Sequence, residues 1–157
     1  MLILALLLNL SGPPFEHPIE CGDPSVESMS WRVLTGTVEA VESNGELKLI
    51  NVTKSFDRTF PRTVRFVDVE PAPFAQPVLR KLIGKTVTIW INPHAIDDAR
   101  VAGVVYLGEQ DVNRSMLARG LGRFTDPPAY ALSDYTRCLH RITEREAREG
   151  RRGLWSK

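Results

Sequence analysis

The stretch VRFVDVEPAP at positions 64–73 sets one arginine, Arg65, inside an apolar, β-branched run, with two acids, Asp68 and Glu70, where the run meets its prolines. A strand with such a lip can present a guanidinium to a phosphate oxygen and a carboxylate to a hard cation. The same pattern suits a half-buried strand with charges on its wet face, Arg65 then being half of a cross-strand pair. A second arginine, Arg100, opens the run VAGVVYL after the acidic stretch IDDA, where Asp97 and Asp98 are available to neutralise it. Alternation along a strand puts Asp68 and Glu70 on one face, as a weak cation site or a wet edge. Glu46, after the turn residues SNG, reads as a charge at the end of a hairpin.

These residues need a scaffold of short strands. WRVLTGTVEAV (31–41) is β-branched around a central Gly36, and ELKLINV (46–52) resumes the alternation after SNG, so the two read as a hairpin. TVRFVDV (63–69) is a third strand, TVTIWI (86–91) a fourth and RVAGVVYL (100–107) a fifth, with a short helix expected at about 74–82 and stopped by Gly84. Two helices follow. In DVNRSMLARG, Val112, Met116 and Leu117 share a face and Gly120 ends the helix. In LSDYTRCLHRITEREAREG, Ser133 is a fitting N-cap. Tyr135, Cys138, Leu139, Ile142, Glu146 and Ala147 recur there at helical spacing, and Arg137, Arg141, Arg145 and Arg148 face away as a salt-bridged surface. The expectation is an α+β domain, a five-stranded OB-type β-barrel with about three packed helices.

With 157 residues, 43% of them hydrophobic, the chain suits one domain with a sizeable core. Its formal net charge of +1 provides no bulk polycation, so a nucleic-acid site has to be local. MLILALLLNLSGPPF is too short and too interrupted to span a bilayer and suits a signal-peptide core, although no Lys or Arg precedes it. Residues 1–20 are therefore expected to be a signal peptide or a disordered segment, 21–32 a linker, and 33–157 the domain, a monomer with no membrane span in its mature form. A secreted or periplasmic location follows from a signal, a cytoplasmic one from its absence. Cys21 and Cys138 pair in an oxidising compartment or stand as two independent thiols. His140 is expected at the surface or at the boundary of the core. Trp31, Trp90 and Trp155 read as core or cap residues. Phe56 and Phe60, in the basic loop KSFDRTFPR, are the aromatics best placed to stack on a nucleic acid.

From about Val33 to Ser156 the chain resembles a staphylococcal-nuclease-like, or thermonuclease, domain. The resemblance rests on LTGTVEAV…GELKL, RVAGVVYL…DVNRSMLARGLGRF and EREAREGRRGLWS, in this order and spacing. It implies an OB-fold barrel with three helices and Ca²⁺-dependent cleavage of phosphodiesters in DNA and RNA. Arginines there clamp the phosphate, carboxylates hold calcium, and a further carboxylate is the proposed general base. Arg65 and Arg100 match the two family arginines. The family's Asp-Gly-Asp-Thr turn reads SNGE here, with Gly45 or Glu46 at the calcium-ligand position. Glu70 takes the place of the second metal-binding aspartate, and Pro73 occupies the position of the base.

The resemblance thus implies a nucleic-acid or nucleotide-phosphate partner held by Arg65 and Arg100, with Phe56 and Phe60 as further contacts. Glu70 and Glu46 are the candidate Ca²⁺ ligands. Hydrolysis is expected to be weak or absent because proline does no acid–base chemistry. Two alternatives stand beside this: an active nuclease with rearranged carboxylates, and a protein-interaction module on the same scaffold.

Overall fold

The computed structural model describes residues 19–22, 31–54, 62–92, 100–128 and 131–157. In chain order the strands are β1 (Arg32–Val41), β2 (Leu47–Lys54), β3 (Thr63–Phe66), β4 (Val69–Pro71), β5 (Thr86–Ile91), β6 (Val101–Leu107), β7 (Gln110–Asp111) and β8 (Gly122–Phe124). The helices are α1 (Gln76–Leu79), α2 (Val112–Ala118) and α3 (Asp134–Glu149).

Five strands close a barrel in the order β3-β2-β1-β5-β6, because β3 also pairs with β6. That closing pair is parallel, with Val64 opposite Val101 and Arg65 opposite Ala102. The other pairings are antiparallel. Alternate residues point inward as the period of two demands: Leu34 and Val38 from β1, Leu47 and Leu49 from β2, Val64 and Phe66 from β3, Val87, Ile89 and Ile91 from β5. Leu79, Leu82, Val112, Met116 and Leu117 complete this core from the helical segments. The expected α+β barrel with packed helices is therefore the fold found.

Three local expectations change. The third strand stops at Phe66, not at Val69: the chain bends at Val67–Asp68, and Val69–Pro71 pairs with β8 in a separate two-stranded sheet. The three residues of β8 are too few to show a period and were not anticipated as a strand. The stretch around 74–82 is a single turn of α-helix between 3₁₀ turns at Pro73–Ala75 and Arg80–Leu82, as its prolines dictate. In α3 the Ser133 hydroxyl accepts from the Thr136 N–H at 3.1 Å, the expected cap. The buried stripe, however, runs through Leu139, His140, Ile142, Thr143, Glu144 and Ala147, while Glu146 is exposed. Cys21 and Cys138 form a disulfide that ties the 3₁₀ turn Ile19–Cys21 to α3. No helix among the described residues is long and apolar enough to cross a membrane.

Candidate anion-binding site

The site is built where β3 emerges beside the β1–β2 turn. Gly45 turns that corner with φ +86°, and its N–H bonds the Glu42 carbonyl at 2.9 Å. A Cβ added there would lie 2.7 Å from Pro71 Cγ, so the turn rests directly on β4. The Gln76 amide clamps the turn from the other side, donating to the Glu42 and Ser43 carbonyls at 2.7 and 3.1 Å. Asn44 Oδ1 accepts the Glu46 N–H at 3.0 Å and fixes where Glu46 leaves the turn.

A cleft of about 400 Å³ opens between these elements, walled by the turn, by Arg65 with its β3 neighbours, by Glu70 and Pro71 of β4, and by Thr125 and Pro128. Arg65 and Glu70 both line it and both are exposed, and among the described residues neither side chain has a hydrogen-bond or ion-pair partner. Arg100 stands just ahead of β6 and reaches across to Glu46, Nη1 to Oε1 3.3 Å. Glu46 is thus more than a hairpin-end charge: its side chain is only 14% exposed, and it has taken up the second arginine.

Behind the cleft lies a group of polar side chains that the sequence did not announce. Asp68, expected on a wet edge with Glu70, is fully buried in step with Val64 and Phe66, and the bend at Val67–Asp68 then breaks the alternation and turns Glu70 outward. Its Oδ2 faces His140 Nδ1, and its Oδ1 accepts from Asn113 Nδ2 at 2.9 Å. His140, expected near the surface, is also fully buried, and its Nε2 faces Asp111 Oδ2 at 2.8 Å. Asp111 meanwhile caps α2, its Oδ1 accepting from the Arg114 N–H at 2.8 Å. Ionised carboxylates only accept, so both ring nitrogens carry protons and His140 is an imidazolium. Burial by itself pulls its pKa down, but the charges and hydrogen bonds of Asp111 and Asp68 outweigh it and push the pKa up to about 10. The carboxylates lie at opposite edges of the ring and do not converge on one point, so the cluster is hydrogen-bonded rather than metal-coordinating. It locks the bend that sets Arg65 on one side and Glu70 on the other.

The residues proposed from sequence therefore divide. Arg65, Glu46 and Glu70 meet in one cleft, and Arg100 is joined to it through Glu46. Pro73, at the position of the base, is exposed and begins a 3₁₀ turn. Phe56, Phe60, Asp97 and Asp98 lie outside the described residues. Of the tryptophans, Trp90 is neither core nor cap: it is 41% exposed and packs edge-on to Trp31.

A small OB-type barrel with an arginine-bearing cleft at the mouth of its third strand defines the class. The chain matches the staphylococcal nuclease homologue family over residues 61–157, more than half its length, and it belongs to that family. The match begins just ahead of β3, so the β1–β2 hairpin with Glu46 lies outside it. Comparison with individually characterised proteins returns no match. The family is in general calcium-dependent, and Ca²⁺ takes six to eight oxygen ligands. Among the described residues the cleft offers two carboxylates, one already paired with Arg100, and no group of three acidic, histidine or cysteine side chains gathers as a metal site. That donor set does not fit calcium.

Proposed function

We propose that this protein binds a phosphate group of nucleic acid in the Arg65 cleft and hydrolyses phosphodiesters weakly or not at all. The observation that carries this reading is the contrast between the two glutamates and the two arginines. Arg65 lines the cleft with no side-chain partner among the described residues, ready to donate two parallel N–H bonds to a phosphate. Glu46 is spent on Arg100, and proline stands where the family has its base. A charge-assisted, bidentate contact needs no metal, whereas attack on phosphorus needs an activated water. The Cys21–Cys138 disulfide supports an oxidising, exported setting.

The test is cleavage of a labelled single-stranded DNA in millimolar Ca²⁺ and in EDTA, with Arg65→Ala exposing any contaminating nuclease. The expected result is no metal-dependent cleavage by the folded protein. One observation favours a second reading, an active nuclease with rearranged carboxylates: Glu46 and Glu70 do line the same cleft. Under that reading Ca²⁺-dependent cleavage appears and Glu70→Ala abolishes it.

A further inference from the structure

The wall of the cleft formed by Thr125 continues into β8, and there the structure brings together charges that the cleft does not use. β4 and β8 are antiparallel, and Arg123 stands directly opposite Glu70. The ladder extends one step further, since the Thr125 N–H bonds the Asp68 carbonyl at 2.9 Å. Residues two apart on a strand share a face, so Arg123 lies on the side of β8 that carries Thr125 into the cleft. Arg123 is exposed and has no ion-pair partner among the described residues. Its guanidinium carbon lies instead 5.6 Å from the centre of the Trp155 ring, and that of Arg148 lies 4.2 Å from the same ring.

This row is rigidly held. The buried Glu144 carboxylate accepts the Phe124 N–H of β8 at 2.9 Å through one oxygen and pairs with Arg148 at 3.0 Å through the other. The turn bearing Trp155 is docked on the end of α2: the Leu154 N–H bonds the Gly120 carbonyl at 2.9 Å, and Arg152 Nη1 bonds the Ala118 carbonyl at 3.1 Å. Two guanidinium groups, Arg123 on β8 and Arg148 on α3, thus lie against one aromatic ring beside a strand that leads out of the cleft. A single-stranded polynucleotide, with a phosphate at every step and bases that stack on flat cations and rings, has the matching chemistry.

We infer that Arg123, Trp155 and Arg148 form a track for single-stranded nucleic acid, continuing from the Arg65 cleft toward the C-terminal turn. The inference rests on the phosphate-binding reading of the cleft and adds to it the direction and footprint of the strand. A terminally phosphorylated thymidine dinucleotide serves as the short probe for the cleft, and a thymidine decamer as the long probe for cleft and track together.

The experiment measures the affinity of the full chain for both probes by fluorescence anisotropy at low salt, in wild type, Arg65→Ala, Arg123→Glu, Arg123→Gln and Lys85→Glu. Lys85 is an exposed lysine outside the track and controls for net charge. Arg123→Glu is expected to weaken decamer binding on the order of tenfold, Arg123→Gln less, and neither to change dinucleotide binding. Arg65→Ala weakens both probes, and Lys85→Glu leaves both unchanged. The track is overturned if Arg123→Glu leaves the decamer unaffected, or if Lys85→Glu weakens it equally. Binding of the dinucleotide through Arg65 then keeps the cleft reading intact. Conversely, decamer binding that depends on Arg123 but not on Arg65 overturns the cleft reading and leaves the track. Failure of wild type to bind either probe overturns both.

Discussion

His140 and Asp68 stand 72 residues apart in the chain and meet in a hydrogen bond with neither side chain exposed. Asp111 takes the other side of the ring, and Asn113 braces Asp68. The bend behind Arg65, the N-terminus of α2 and the middle of α3 are thereby fastened to one buried cation. Taking such charges out of water is costly, and the arrangement holds only while all three are present.

The first prediction concerns pH. The folded pKa of His140, about 10, is raised above the ordinary value of 6.5. A raised pKa means that the folded state holds the proton more tightly, so its contribution is complete below about pH 6.5, declines above that, and is gone once pH passes about 10. Urea unfolding at intervals across that window should show stability falling by up to a few kcal/mol, and the His140→Leu variant should lose this slope.

Removing one partner should be worse than removing two. His140→Leu alone leaves the buried Asp68 and the half-buried Asp111 without their cation, with an expected loss of about 3–5 kcal/mol. Adding Asp68→Leu removes one of the stranded charges and should recover part of that loss. Chemical denaturation of the single and double variants checks this, and additive losses would contradict the proposed coupling.

The disulfide should matter for stability more than for the cleft. Reduction, or the Cys21→Ser and Cys138→Ser pair, is expected to cost about 2–5 kcal/mol while leaving phosphate affinity within about twofold, since 0.4 kcal/mol corresponds to that ratio. Thermal unfolding with and without reductant, beside a binding titration, measures both.

The C-terminal turn depends on two glycines that touch. Gly120 and Gly153 both have positive φ, and a Cβ on Gly120 would lie 2.1 Å from the Arg152 carbonyl oxygen. Gly120→Ala should therefore cost about 2–4 kcal/mol and lift Trp155 from its place beside Arg148. A red shift and altered intensity in tryptophan emission, alongside unfolding curves, would register it.

Much of this was legible in the sequence, for physical reasons. Strand and helix periods are local, so the barrel, the Ser133 cap and the position of Arg65 could all be read from neighbouring residues. The His140 cluster could not, because pairing between side chains on separate elements leaves no spacing to find. There was one signal: Asp68 shares the parity of Val64 and Phe66, both of which face the core. An acid at an inward position implies a buried partner, and His140, between Leu139 and Ile142, was a candidate for it. The pairing of Glu46 with Arg100 was hidden in the same way, since Glu46 reaches Arg100 only once β2, β3 and β6 are side by side. β8 escaped because its three residues carry no pattern.

The ion pair between Glu46 and Arg100 makes its own prediction. Glu46→Gln removes a negative charge from the cleft wall, so phosphate affinity should rise about three- to tenfold, the equivalent of roughly 1 kcal/mol. A titration of inorganic phosphate into both proteins at low salt would show it, and weaker binding by the variant would mean that Glu46 positions the ligand itself.

The central claim is that Arg65 holds a phosphate without the help of a metal. Its most direct test is a calorimetric titration of a terminally phosphorylated dinucleotide into wild type and Arg65→Ala, in EDTA and at two salt concentrations. The account predicts binding in EDTA that weakens as salt rises and drops on the order of tenfold in Arg65→Ala. Binding that requires added Ca²⁺, or that persists unchanged without Arg65, would contradict it.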